Sequence, residues 1–256
     1  MKLSGLVSHV NPKSPVAEAY RILRTNIQFS SPDRELKIIL ITSSRTDEGK
    51  STTVANLAVT MAQSNMRVLL IDCDLRKPVI HRTFGLVNIK GLTNVLVEGI
   101  DYNAVINVTE VENLDIITSG PKPPNPAELL GSKKMEEFLY SVRQNYDIVI
   151  VDTPPVLPVT DAAVLCQYAD GVVLVAGYGL ATYDAVLQAK ANLEKVNARI
   201  LGVVLNGVPV TRNGGYYYYY YYYDETGTSK NQRRRRSTGD LPLSANGTTS
   251  GEGANV

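Results

Sequence analysis

Tryptophan is absent from the 256 residues, and cysteine and histidine occur only twice each. His9, His81, Cys73 and Cys166 show no metal-ligand spacing, which excludes a zinc site built from them. Both cysteines lie inside apolar runs and read as buried, reduced thiols. An excess of charge of either sign is also missing: 26 basic side chains stand against 25 acidic ones, for a formal net charge of +1. No global field draws such a chain onto nucleic acid or an anionic membrane, and nucleic acid is not an expected partner. No apolar run approaches the roughly 18 residues of a membrane-spanning helix. Polar residues interrupt every N-terminal apolar stretch, so no signal peptide is expected and the cytoplasm is the expected location. A dinucleotide site is excluded as well, because no G-x-G-x-x-G follows the first apolar run.

What remains is ordinary globular material, 44% hydrophobic and 20% charged, in a length that suits one α/β domain. Residues 1–14 read as an extended lead-in. A helix is expected over 15–29, with Pro15 suited to its first turn. Strands are expected at 37–42, 68–71, 114–118, 147–151, 172–176 and 200–205. Helical stretches alternate with them at 50–64, 125–145 and 182–196. Continuous apolar strands in such alternation imply a mostly parallel central sheet with helices on both faces. The composition changes at Gly214. Eight consecutive tyrosines follow, Tyr216, Tyr217, Tyr218, Tyr219, Tyr220, Tyr221, Tyr222 and Tyr223, and then a polar stretch containing Arg233 to Arg236. Residues 1–211 are therefore expected to form the domain and 212–256 a disordered tail with little to bury. Four arginines in such a tail usually form a solvated patch, with contact to anionic lipid or nucleic acid as the alternative. Eight adjacent aromatics are costly in a soluble tail, since they invite β-aggregation, so the run is expected to serve a purpose.

The segment from Ser44 to Ser51 matches G-x-x-x-x-G-K-[ST] except at its first position, where serine replaces glycine. It follows an expected strand and opens an expected helix, the context that confirms a phosphate-binding loop. Backbone N–H groups of Arg45, Thr46, Asp47, Glu48, Gly49, Lys50, Ser51 and Thr52 are placed to face phosphate oxygens, and the helix dipole favours that charge. Lys50 adds a point charge on the β- and γ-phosphates, and the Ser51 hydroxyl is placed to ligate Mg²⁺. The expected ligands are therefore ATP and Mg²⁺. Asp152 ends one strand, where a parallel sheet presents a carboxylate to such a metal. Asp72 and Asp74 follow another; their spacing puts both on one face if the strand continues. Two acids so close repel each other unless a cation lies nearby.

With those residues in view, the chain resembles the bacterial tyrosine kinases of capsule and exopolysaccharide export, P-loop enzymes. The resemblance covers roughly residues 15–223. It rests on Glu18-x-x-Arg21-x-x-Arg24, the loop through Ser51, the run from Val68 through Asp72 and Asp74 to Arg76, the segment from Ile150 through Asp152 to Pro155, and the tyrosine cluster. The segment from Pro124 to Leu130 is also similar. The resemblance implies a P-loop fold and ATP-dependent autophosphorylation of Tyr216 to Tyr223, in trans within an oligomer. It implies Asp72 as general base, and Asp74 and Asp152 as Mg²⁺ holders beside Ser51. Asn206 falls at the adenine-contacting position of related ATPases, with a simple turn residue as the alternative. Arg45 falls where partition ATPases carry a signature lysine; it reads either as a phosphate contact across a subunit interface or as a solvated side chain. The helix carrying Glu18, Arg21 and Arg24 would help build a ring-like homo-oligomer. A separate transmembrane activator, the polysaccharide co-polymerase, would recruit the chain to the inner face of the membrane, and a tyrosine phosphatase is a further expected partner. The main alternative is a partitioning or positioning switch ATPase of the same fold without kinase activity.

Overall fold

The computed structural model describes residues 6–209. The expected tail, with the tyrosine run 216–223 and the arginines 233–236, lies outside the described residues. Within them a single sheet contains β1 (Ile38–Ser43), β2 (Val68–Asp72), β3 (Ile106–Val108), β4 (Leu114–Ile117), β5 (Ile148–Asp152), β6 (Gly171–Gly177) and β7 (Ile200–Asn206). Their spatial order is β3-β4-β2-β5-β1-β6-β7. Every neighbouring pair is parallel except β3 with β4. The four strands β1, β2, β5 and β6 are buried along their whole length, as strands covered on both faces must be.

Alternate residues of these strands feed two cores. On one face Ile39, Ile41, Leu70 and Ile150 pack against Val54, Leu57 and Met61 of α3 (Lys50–Ala62), with Ile27 of α2 (Pro15–Phe29) beyond. On the other, Leu40, Leu69, Ile71 and Val151 meet Phe138 and Leu139 of α7 (Lys133–Asn145) and Leu193 of α9 (Tyr183–Lys195). Burying a side chain of this size contributes about 1.5–3 kcal/mol.

The helix expected at 15–29 is there: Ser14 caps it by accepting from the Ala17 N–H at 3.1 Å, and Pro15 occupies its first position. The lead-in differs from the extended stretch expected. Val7–Val10 forms a short helix, α1, and Leu6 is fully buried. The Ser8 N–H donates to Asn56 Oδ1 at 3.0 Å, and Gln63 Nε2 donates to the Ser8 carbonyl at 3.0 Å. Polar side chains of α3 and of Gln63, which caps its end, thus satisfy the backbone of the lead-in, a tertiary effect that local composition does not carry. The helical region expected at 125–145 is two helices, α6 (Pro126–Leu130) and α7, because Ser132 starts a new cap at Met135. Three further short helices escaped the sequence reading: α4 (Ile80–Thr83), α5 (Leu92–Glu98) and α8 (Asp161–Leu165).

Candidate functional site

Parallel strands end at one edge of the sheet, and the connections after β1, β2, β5 and β7 meet there. The connection between β1 and α3 is the expected phosphate loop. Two residues turn it through the left-handed region, Asp47 at φ 66° and Gly49 at φ 80°. Gly49 is required for a second reason: a Cβ there would lie 1.8 Å from Asn206 Nδ2. That same amide donates to the Glu48 carbonyl at 3.1 Å, so the tip of β7 braces the loop. Glu48 itself is buried, and its carboxylate turns back into the loop. It accepts from the Ser44 N–H at 2.8 Å, the Ser44 hydroxyl at 2.6 Å and the Arg45 N–H at 3.1 Å. The serine that departs from the glycine of the general pattern therefore supplies a hydroxyl to the loop's own carboxylate. Arg45, Thr46, Asp47 and Thr52 lie exposed on the rim.

Lys50, the first residue of α3, is buried, and its Nζ donates to Asp152 Oδ1 at 2.5 Å and to Ser51 Oγ at 3.0 Å. Asp152 ends β5 in register with Asp72 at the end of β2, so the two fully buried carboxylates face one site from adjacent strands. Burial pushes the Asp152 carboxyl upward, while Lys50 and the Ser51 hydroxyl pull it back. Burial, and then the charge of Asp152, hold Asp72 well above the usual carboxylate range. Asp74 joins them by a different route from the shared strand face expected. β2 stops at Asp72, and a turn brings the second acid round: the Asp74 N–H donates to Asp72 Oδ1 at 3.2 Å, and Asp74 Oδ1 accepts from the Lys77 N–H at 2.9 Å. The other Asp72 oxygen accepts from the Ile80 N–H, the first of α4, at 3.2 Å.

One oxygen of this cluster, Asp152 Oδ2, is buried with no hydrogen-bond partner among the described residues. An orphaned buried carboxylate oxygen is costly unless a cation meets it. Hard oxygen donors, Ser51 Oγ among them, at the N-terminus of α3 fit Mg²⁺ and a polyphosphate. A separate cleft of about 510 Å³, lined by Arg67, Tyr102, Asp115 and Tyr146, opens at the opposite edge of the sheet.

Sequence reasoning missed a clamp beside the site. Arg76 Nε and Nη2 each donate to the buried Asp161 carboxylate at 2.9 Å, tying the segment after β2 to α8 after β5. An acid in the first turn of α8 is readable as a helix-dipole partner, but nothing in the sequence names its arginine. Glu18, Arg21 and Arg24 are not brought to the site. They lie on α2, where Glu18 pairs with Arg21, Arg21 also donates to the Pro12 carbonyl, and Arg24 Nη1 donates to the Thr60 carbonyl at 3.0 Å. The sequence reading also passed over two apolar residues on the same helix. Ile22 and Phe29, seven residues apart on one face, are 47% and 78% exposed.

A family model described as an AAA domain matches residues 36–201. The chain is 46% identical over 209 residues to the tyrosine-protein kinase YwqD of Bacillus subtilis, covering 82% of this chain and 88% of that relative. Its fold is similar to the kinase domain of the Escherichia coli tyrosine kinase ETK, with a TM-score of 0.77 and 39% identity over 79% of this chain and 80% of that one. A more distant likeness is to the septum site-determining protein MinD of Pyrococcus horikoshii, solved in complex with Mg-ADP. There the TM-score is 0.57 and the identity 25%, over 66% of this chain and 69% of that one.

Proposed function

This chain belongs to the bacterial tyrosine-protein kinases, and on that premise we propose that it transfers the γ-phosphoryl group of ATP to protein tyrosines, its own residues 216–223 among them. The observation that carries the proposal is the in-register pairing of Asp72 with Asp152 beside Lys50, with Asp152 Oδ2 left without a donor. The backbone N–H groups from Thr46 to Thr52 and the Lys50 ammonium bind the phosphates and offset charge as the phosphoryl group moves. Ser51, Asp74 and Asp152 would hold Mg²⁺. When bound, the metal neutralises charge on the β- and γ-phosphate oxygens. A tyrosine hydroxyl, with a reference pKa near 10, is a weak nucleophile at neutral pH. Asp72 accepts its proton as the tyrosine oxygen bonds to the γ-phosphorus and the bond to the departing ADP breaks. Burial, with the charge of Asp152 beside it, raises the proton affinity of Asp72, the direction a general base needs. Asn206 holds the loop through its amide nitrogen and offers its side-chain carbonyl to adenine. Arg45, exposed on the rim, reaches toward the phosphate of a neighbouring copy.

The acceptor tail comes from a second copy within a ring-like homo-oligomer assembled partly through α2. The outward Ile22 and Phe29 support that reading, since exposed apolar residues flanking Glu18, Arg21 and Arg24 suit a buried contact. Among the described residues no helix is long and apolar enough to cross a membrane. A separate transmembrane activator brings the chain to the inner face of the membrane, where it regulates capsular or exopolysaccharide synthesis, and a tyrosine phosphatase resets it.

Incubation of the purified chain with Mg²⁺ and γ-labelled ATP, with and without the activator's cytosolic segment, tests the activity. Label is expected on tyrosine and is expected to vanish in Lys50→Met and Asp72→Ala. ATP hydrolysis with no phosphotyrosine under either condition would instead favour the switch-ATPase reading, which the likeness to MinD keeps as the second choice.

A further inference from the structure

Beside the acid cluster the surface changes character. Between Leu75 and Val97 the chain carries Arg76, Lys77, Arg82 and Lys90 and no carboxylate, and between Ile116 and Ala127 it carries Lys122 and again none. These two stretches share one edge of the sheet. The first leaves the end of β2 at Asp72 and arrives at the end of β4, the strand paired with β2. It is fastened there: the Leu92 N–H donates to the Thr118 carbonyl at 2.8 Å, and Thr118 Oγ1 donates to the Lys90 carbonyl at 3.1 Å. Asn88 grips from both ends of its amide, accepting from the Gly120 N–H at 2.8 Å and donating to the Gly120 carbonyl at 3.1 Å. The approach is so close that a Cβ at Gly91 would lie 2.2 Å from the Thr118 carbonyl.

The rigid rim so made displays an unusual combination. Arg76 is committed to Asp161, but Lys77, Arg82, Lys90 and Lys122 are exposed and make no ion pair among the described residues. The bordering carboxylates, Glu98 and Glu128, accept from Asn94 and Asn125. Between the cations, Val87 and Ile89 stand 67% and 76% exposed, on either side of the Asn88 anchor that fixes their backbone. Apolar side chains held on a fixed ledge among unpaired cations match a ligand that is both aromatic and anionic. The chain itself carries the precursor of such a ligand in eight consecutive tyrosines. Each phosphorylation adds about −1.5 to −2 charges and three acceptor oxygens to an aromatic ring.

We propose that this rim, from Lys77 to Lys90 with Lys122, is a docking surface for the partly phosphorylated tyrosine run of a second copy, and that it holds the first phosphotyrosines while later ones enter the site. The proposal rests on the kinase reading for its substrate. It makes phosphorylation of the run progressive: the product of one transfer becomes the anchor of the next.

A binding experiment and a product analysis test it separately. The first uses the full chain with all eight tyrosines of the run replaced by phenylalanine, and a fluorescent synthetic peptide of residues 214–224, plain or carrying two phosphotyrosines. By anisotropy at low salt the phosphopeptide is expected to bind more tightly than the plain one. Lys90→Glu with Lys122→Glu is expected to weaken it about ten-fold, equivalent to ~1.4 kcal/mol. Lys90→Arg with Lys122→Arg is expected to restore it, and the difference should fade as salt rises. Equal binding to the unreversed and charge-reversed proteins would overturn the proposal. The second uses the native tyrosine run and counts phosphates per chain by mass spectrometry. The charge-reversed protein is expected to add its first phosphate at an unchanged rate and then accumulate at one or two. A normal ladder up to the fully phosphorylated chain would also overturn the proposal. If neither protein gains phosphotyrosine, the kinase reading fails, and the binding arm still decides whether the rim is a phosphotyrosine surface.

Discussion

Glu48 places a negative charge inside a loop built to receive phosphate, and the geometry explains how the loop tolerates it. Its carboxylate is turned away from α3 and spent on the Ser44 and Arg45 donors. Those N–H groups lie at the start of the turn, whereas the helix N-terminus that faces phosphate begins at Lys50. The carboxylate therefore fixes the shape of the turn, while Gly49 and Asn206 close it from the other side. Replacing Glu48 with alanine strands the buried Ser44 groups. Hydrogen bonds to a charged partner contribute about 1.5–3 kcal/mol, and with water reaching the exposed Arg45 backbone a net loss of about 2 kcal/mol is expected. In a domain of this size that lowers Tm by roughly 4–8 °C. ATP affinity is expected to fall at least ten-fold, since the phosphate donors lose their common frame. Differential scanning fluorimetry with and without nucleotide checks both. The control is Thr46→Ala, whose side chain is exposed on the rim and whose N–H is retained. An ATP affinity unaffected in Glu48→Ala would show that the turn holds its shape without the staple.

Among the elements, the clamp between Arg76 and Asp161 has the most to decide, because it ties the acid turn after β2 to α8. Asp161 is fully buried while Arg76 is partly exposed. Removing the arginine leaves a buried carboxylate without its partner, at a cost of about 3 kcal/mol at most once the exposure of Arg76 is allowed for. The double replacement Arg76→Ala with Asp161→Ala removes the orphan as well. It is expected to be more stable in denaturant than Arg76→Ala alone; additive losses would mean that the pair is not coupled. No reading of the sequence finds this pair, since 85 residues separate its members and only the parallel pairing of β2 with β5 brings them together. The strands β1, β2, β5 and β6 were legible for the opposite reason: a strand buried on both faces is written as an unbroken apolar run. α2 was legible from Pro15, which marks its start locally; the Ser14 cap emerged only in the structure. α1 was not, because what holds it is Asn56 of α3 and Gln63, which caps that helix's end. Three-residue β3, antiparallel on the edge, is too short to show a period. At the site, Lys50, Ser51, Asp72 and Asp152 were legible because loop and strand tip are both marked by type and position. The Glu48 backbone was counted in the loop, but the role of its carboxylate was not legible, because a glutamate in a polar loop reads as solvated until its partners are seen.

At the scale of the whole molecule, charge sets a limit on the docking proposed above. The unmodified chain is nearly neutral, at +1. Eight phosphotyrosines would add roughly 12–16 negative charges and carry it to roughly −11 to −15. The rim offers Lys77, Arg82, Lys90 and Lys122, and next to it lie the buried acids Asp72, Asp74 and Asp152. Two phosphotyrosines bring about 3–4 charges, which these cations can offset. A fully modified run exceeds them severalfold, and the surplus faces both the acids and its own neighbours. Retention and release therefore follow from one surface, with phosphate number as the variable. Species separated by phosphate count and examined by analytical ultracentrifugation are expected to stay assembled with one or two phosphates per chain and to dissociate as the run fills. Moderate salt should postpone the dissociation, because it screens the mutual repulsion over distances beyond about 8–10 Å. Two results would count against this account. A fully phosphorylated protein that still sediments as the large assembly would mean that the α2 contacts outweigh the repulsion. Dissociation on the first phosphate would mean that the rim does not hold the product at all.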